Sequence, residues 1–101
     1  MAVQRLPTLT LESVNVRAIL VPLRRPIVAK VGTFADWPIL LIDLHTKEGV
    51  VGKAYLEPYV KSAVGYLAAA IHDLADRMKG KPLAPFDAFR DALGALHLIG
   101  R

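Results

Sequence analysis

No cysteine occurs anywhere in the 101 residues, which excludes a disulfide framework and a thiolate metal site. Serine is nearly absent too. Ser13 and Ser62 are the only two; neither lies between glycines as a nucleophile elbow requires, and neither has a histidine close by in sequence. Gly52-Lys53 and Gly80-Lys81 lack the preceding glycine and following Ser/Thr of a phosphate-binding loop. His45, His72 and His97 lie far apart without a partner at metal-ligand spacing, so each reads as a surface or partly packed histidine. No apolar run is long enough to span a bilayer, and residues 1–10 lack the apolar h-region of a signal peptide. A cytoplasmic chain with no membrane partner is the expectation, and no motif for a catalytic centre is present.

What the chain does hold is apolar surface. At 53% hydrophobic and 22% charged it is globular rather than disordered. A domain of this length buries only about two-thirds of its unfolded surface, so the excess points to a face meant for another domain or subunit. The net charge is +4, but the basic residues are scattered. Only Arg24-Arg25 and residues 77–81 cluster, and the second group sits at an expected helix end, where cations oppose the dipole charge. No RNA-binding signature or helix-turn-helix pattern accompanies them, which argues against nucleic acid as a partner.

Residues 1–8 carry no period and read as a loose leader, leaving 9–101 as one domain. From residue 9 to 23 the pattern is extended: Glu12, Val14, Val16, Ala18 and Leu20 share the mostly apolar parity, while Leu11, Ser13, Asn15 and Arg17 share the other. Pro22 is expected to end this strand, because proline cannot donate to a ladder. The run Ile39-Leu40-Leu41-Ile42-Asp43-Leu44-His45-Thr46 predicts a strand covered on both faces. Lys47-Glu48-Gly49 is a hairpin connection with glycine where a left-handed conformation is needed, and Val50 to Leu56 returns antiparallel. Asp43, inside the apolar strand, must be paired or hydrogen-bonded, and reads as structural.

Pro58 opens the helical half. Val60, Val64, Leu67, Ile71, Leu74 and Met78 form one apolar stripe at spacings of three and four, and Gly80 suits the stop. A second helix is predicted near Pro85, with Phe86, Phe89, Leu93 and Leu96 as its stripe. The fold class is therefore α+β: a three-stranded antiparallel meander followed by a helical segment, with helices on one face. Between the first two strands Ile27, Ala29 and Val31 share a parity, with Phe34 just beyond. An extended loop would aim the first three the same way, either to line an apolar pocket for a small ligand or to cover the sheet's own edge.

Several pieces, in order, resemble a known family: Val21-Pro22-Leu23, Pro26, Val31-Gly32-Thr33, Pro38, Leu41-Ile42-Asp43-Leu44, Gly49-Val50-Val51-Gly52, Tyr55-Leu56 and Gly80-Lys81-Pro82-Leu83-Ala84-Pro85, fading into Leu98-Ile99-Gly100. They resemble the amino-terminal capping domain of the mandelate racemase/muconate lactonizing enzyme family of the enolase superfamily, mandelate racemase above all. The resemblance implies an enolase N-terminal domain-like fold packed over a TIM barrel that this chain does not contain. It implies a parent enzyme, a racemase, dehydratase or cycloisomerase, that removes the proton alpha to a carboxylate while Mg2+ stabilises the enediolate. The bases and metal ligands are then expected beyond Arg101, so the chain alone would be neither catalytic nor metal-binding.

By the same resemblance, Ile27, Ala29, Val31 and Phe34 fall on pocket-lining positions of a first mobile loop. Glu57 and Tyr59 fall on those of a second, with Tyr55 at its base. The implied partners are a small carboxylate substrate, the barrel domain and further copies in a homo-oligomer. Mandelate racemase carries an aromatic at the position of Glu57; a carboxylate there suits hydroxyls or an ammonium, so a sugar acid or amino-acid derivative is the expected substrate. The alternative reading is a stand-alone module of the same fold that self-associates through its apolar face.

Overall fold

The computed structural model describes residues 8–96; most of the expected leader, His97 and the end of the resemblance at residues 98–100 lie outside the described residues. Three strands, β1 (Leu11–Ala29), β2 (Gly32–Thr46) and β3 (Val51–Leu56), precede two helices, α1 (Ser62–Met78) and α2 (Pro85–Leu96). The strands form one antiparallel sheet in the order β1-β2-β3, which is the meander that the sequence predicts.

The alternation in β1 holds from Ser13 to Arg17, with half-buried Val14 opposite Leu44 and Val16 opposite Ile42; beyond it Ala18 and Leu20 are exposed. It fails at Leu11. A register shift between Leu11 and Ser13 sets Leu11 opposite Thr46, and one extra residue in a strand moves a side chain to the other face. Leu11, on the parity that reads as polar, is therefore 2% exposed and among the most buried side chains.

Nor does Pro22 end the strand. β1 is an edge strand, where a missing N–H faces solvent at no cost to the ladder, and a second irregularity between Pro22 and Ile27 absorbs both prolines. Pairing then resumes, with Ile27 opposite Phe34, Val28 opposite Thr33 and Ala29 opposite Gly32. The expected apolar loop is instead a β-ribbon closed by the two-residue turn Lys30-Val31.

The β2–β3 hairpin has the predicted connection. Gly49 takes φ 85°, its N–H donates to the Thr46 carbonyl at 3.1 Å, and the Thr46 N–H donates to Val50 at 3.1 Å. Thr46 is buried but satisfied: its hydroxyl donates to the Val50 carbonyl at 2.7 Å and accepts from the Val50 N–H at 3.0 Å. Asp43 sits opposite Lys53 and pairs with its ammonium at 3.2 Å, the structural role expected of it.

α1 lies on the face that carries Val14 and Leu44. Ile71, Leu74 and Met78 of its stripe meet those two residues, Leu11 and Leu83 around a narrow apolar cavity of about 160 Å³. Only this face of β2 is covered by a helix. Leu40 on it is fully buried, whereas Ile39 and Leu41 on the other stay half-exposed, so the strand is not enclosed on both sides as its apolar run predicts.

After α1 the chain turns at Gly80 (φ 81°) and runs back beside the start of β1. The Gly80 N–H donates to the Leu11 carbonyl at 2.9 Å, the Leu11 N–H to Lys81 at 3.3 Å and the Leu83 N–H to Leu9 at 2.7 Å. These bonds fasten the helical half to the sheet.

α2 starts at Pro85, a position where the missing N–H costs nothing, with Asp87 in the first turn favourable to the helix dipole. Its stripe faces little else: Phe86 is 87% and Phe89 65% exposed, Leu93 is half-buried, and the side chain of Leu96 lies outside the described residues. Among the elements α2 approaches only α1.

Candidate functional site

Two segments distant in sequence meet at the sheet's far end. One is the β2 side of the ribbon, from Thr33 to Pro38. The other is the connection between β3 and α1, residues 57–61. Trp37 joins them. Its ring lies edge-to-face with Phe34, centroids 5.8 Å apart at 81°, and with Tyr59, 5.1 Å apart at 72°. Such contacts add about 0.5–1.5 kcal/mol beyond area burial. Beside them the Lys61 ammonium meets an Asp36 carboxylate oxygen at 2.9 Å. That pair is partly exposed, so its value is about 0–1 kcal/mol.

The connection itself has an unusual backbone. Tyr59 takes φ 67°, a left-handed value rare for a side chain of its size. The Val60 N–H donates to the Pro58 carbonyl at 2.8 Å across it. α1 then begins without a side-chain cap; the N–H groups of Ala63 and Val64 donate instead to the carbonyls of Val60 and Lys61, at 3.1 and 3.2 Å.

Between the two segments is a cavity of about 370 Å³, walled by Phe34, Pro38, Tyr59 and Val60 and edged by Thr33, Asp36 and Lys61. It combines aromatic walls with one cation and one anion at the rim, the mixture of apolar lining and few polar groups that small-molecule sites have. A larger depression of about 540 Å³ between α1 and α2 is edged by Arg77, Lys81, Arg90 and Asp91. It holds no aromatic wall, and Arg77 is already engaged by Asp73 at 3.2 Å. We therefore place the candidate site at the ribbon end.

Of the sequence-predicted residues, Phe34 and Tyr59 come together at this cavity. Ile27 is the register partner of Phe34, and Ala29 pairs with Gly32 near the ribbon tip. Val31 occupies the turn, 87% exposed. Tyr55 pairs with Leu41, on the sheet face opposite Leu40 and Leu56, and Glu57 is exposed in the connection; neither lines the cavity. Asp36, Trp37 and Lys61 escape the sequence reading. Trp37 is the chain's only tryptophan, and that is the one signal that could have singled it out.

These features define a class: a meander-plus-helix domain whose ribbon and connection converge on one cavity. The family model described as mandelate racemase / muconate lactonizing enzyme, N-terminal domain, matches residues 12–94, and the chain belongs to that family. A similar solved structure is an enolase from alpha proteobacterium bal199 with bound magnesium. It is 46% identical with a TM-score of 0.86, over 92% of this chain and 26% of that one.

Another is an enolase from Bradyrhizobium complexed with magnesium and mandelic acid, 30% identical with a TM-score of 0.81, over 95% of this chain and 27% of that one. A dipeptide epimerase from Enterococcus faecalis V583, complexed with Mg and the dipeptide L-Leu-L-Tyr, shares the fold at 20% identity and a TM-score of 0.72, over 84% of this chain and 25% of that one. The chain thus spans about a quarter of the length of the solved relatives it matches.

The magnesium in those relatives has no counterpart among the described residues. No three His, Asp or Glu side chains come together to hold an ion, and Asp36 and Asp43 are each engaged by a lysine. These residues do not fit the metal. Among the described residues no helix is long and apolar enough to cross a membrane.

Proposed function

We propose that this domain caps the active site of an enolase-superfamily enzyme and selects its substrate. In this reading the parent protein removes the proton alpha to a carboxylate with Mg2+ present, and the bases and metal ligands belong to a barrel domain outside these 101 residues. The contribution of this chain is to exclude water and to present a shaped wall to the part of the substrate that does not react. The observation that carries the proposal is the cavity where Phe34 and Tyr59 meet from two segments, supported by magnesium-bound relatives of about four times the length.

The wall's chemistry supports a different substrate from the one that Glu57 suggests. Glu57, which favours a sugar acid or amino-acid derivative in the sequence reading, does not line the cavity, and the side chains that do are largely aromatic and apolar. A carboxylate with an aryl or apolar substituent fits that wall better, because a hydroxyl-rich ligand would lose hydrogen bonds to water without replacing them. The test is to screen the protein in which this domain is joined to its barrel against aryl-hydroxyacid and acid-sugar libraries. Turnover of aryl acids is expected; turnover confined to acid sugars would refute the assignment.

A second reading has its own observation. Phe86 and Phe89 stand in solvent, and such a pair suits contact between copies of the chain. It is compatible with the first reading, since a cap within a homo-oligomer uses both surfaces.

A further inference from the structure

We propose that Trp37 and the Asp36–Lys61 pair form a two-point clamp that positions Tyr59, so that both walls of the cavity move as one body. The proposal rests on the reading of that cavity as substrate-facing, and it adds residues that neither the motifs nor the family match singles out.

The argument starts from the backbone of Tyr59. Its φ of 67° and the 2.8 Å bond from the Val60 N–H to the Pro58 carbonyl describe a γ-turn of the strained, positive-φ kind. A tyrosine gains nothing locally from that conformation. Strain of this sort persists only where the surroundings over-determine it, and it collects at binding sites.

Here the surroundings are two neighbouring residues of β2. Trp37 holds the Tyr59 ring edge-to-face, at 5.1 Å between centroids. One residue earlier in the strand, Asp36 holds Lys61 at 2.9 Å, two residues after Tyr59. The turn is thus attached on both sides to one short stretch of sheet, which resists rotation as well as displacement. Trp37 itself pairs in register with Val21, so the anchor belongs to the ladder rather than to a loop.

The same ring reaches the other wall, since Phe34 lies 5.8 Å from Trp37 on the ribbon. Behind the turn, the Val60 carbonyl accepts from Ala63 at 3.1 Å, and α1 has no side-chain cap of its own. Releasing the turn therefore also frays the first turn of α1. Trp37 does not line the cavity and acts through Tyr59 as a positioning residue, and the Asp36–Lys61 pair at the rim holds the same turn, while the aromatic groups facing a ligand are Phe34 and Tyr59.

The test is amide hydrogen exchange measured by NMR on the 101-residue chain, with near-ultraviolet circular dichroism of its single tryptophan. In Trp37→Leu the Val60 and Ala63 amides should exchange at least about tenfold faster, while Leu40 and Leu44 in mid-sheet keep their rates. Asp36→Lys should accelerate the same two amides, and adding Lys61→Asp should restore them to within about twofold. Tyr59→Leu should remove the tryptophan band without altering the Leu40 rate.

A general loss of stability would raise all four rates together and would not be rescued by reversing the charges. Unchanged Val60 exchange in Asp36→Lys, or no recovery in the reversed pair, overturns the clamp. Should Trp37→Leu fail to fold, the partly exposed charge pair still decides. If the clamp holds but aryl acids are not turned over, the positioning stands and the substrate assignment falls.

Discussion

Two regions of this molecule use apolar side chains in opposite ways. On the base, the sheet face that α1 covers, Leu11, Leu40 and Ala63 are buried. The backbone there is paired across β1, the hairpin and residues 80–83, and among the described residues no buried side-chain polar atom lacks a partner. On the outer surfaces Val28 and Val31 of the ribbon stand in solvent, as do Phe86 and Phe89 of α2. The first group stabilises this chain. The second contributes little to it and remains available to another surface, so the apolar surface that stabilises the chain and the apolar surface left open occupy separate parts of one small fold.

The largest effect should come from the base. Leu40→Ala removes a fully buried side chain and should cost about 2–5 kcal/mol, read as a fall in the urea midpoint at unchanged slope. A cost below about 1 kcal/mol would mean that the base does not carry the fold. On the outer surface of α2, Phe86→Ser with Phe89→Ser should leave the urea midpoint within about 0.5 kcal/mol of the parent. The mass seen by light scattering and the binding of a hydrophobic dye should both fall. Equal loss of stability in the two regions would erase the contrast.

The smallest effect concerns pH. The Thr10 N–H donates to a Glu48 carboxylate oxygen at 2.6 Å, and this bond holds the Glu48 carboxyl below its ordinary range. A carboxyl whose pKa is lower folded than unfolded binds its proton more readily in the unfolded chain. Its contribution is therefore present above the ordinary value, about pH 4.3, and is lost as the pH falls through the lowered one. Glu48→Gln should flatten that acid limb in thermal melts between pH 3 and 6 by slightly lowering the neutral-pH melting temperature while leaving the acid one unchanged, because glutamine stands in for the protonated carboxyl; the change is small because the group is fully exposed.

Local signals made much of the fold legible. The stripe Val64, Leu67, Ile71, Leu74, Met78 fixes α1 because its period is contained within the helix, and Gly49 and Gly80 mark turns whose φ values only glycine takes easily. Features that depend on a strand's neighbours did not show. Pro22 reads as a stop because the sequence does not reveal that β1 lies at an edge. One bulge residue hides the burial of Leu11 by shifting its parity.

The site was legible in part for the same reason. Phe34 and Tyr59 can be picked as side chains that could line a pocket, and the family resemblance places them. The contacts that join them, from Trp37 to Tyr59 and from Asp36 to Lys61, cross more than twenty residues without any period. They arise only when the ribbon and the connection meet in space, and Glu57, adjacent in sequence, is left outside.

One measurement bears most directly on the claim that this domain selects rather than catalyses. The chain is grafted onto the remainder of the magnesium-bound bal199 relative in place of the quarter that it matches, and kcat/KM is measured for an aryl and a non-aryl carboxylate. The account predicts that Phe34→Ala and Tyr59→Ala each change the ratio of the two values by about tenfold or more while turnover of the less hindered substrate persists. An unchanged ratio in both variants would contradict it.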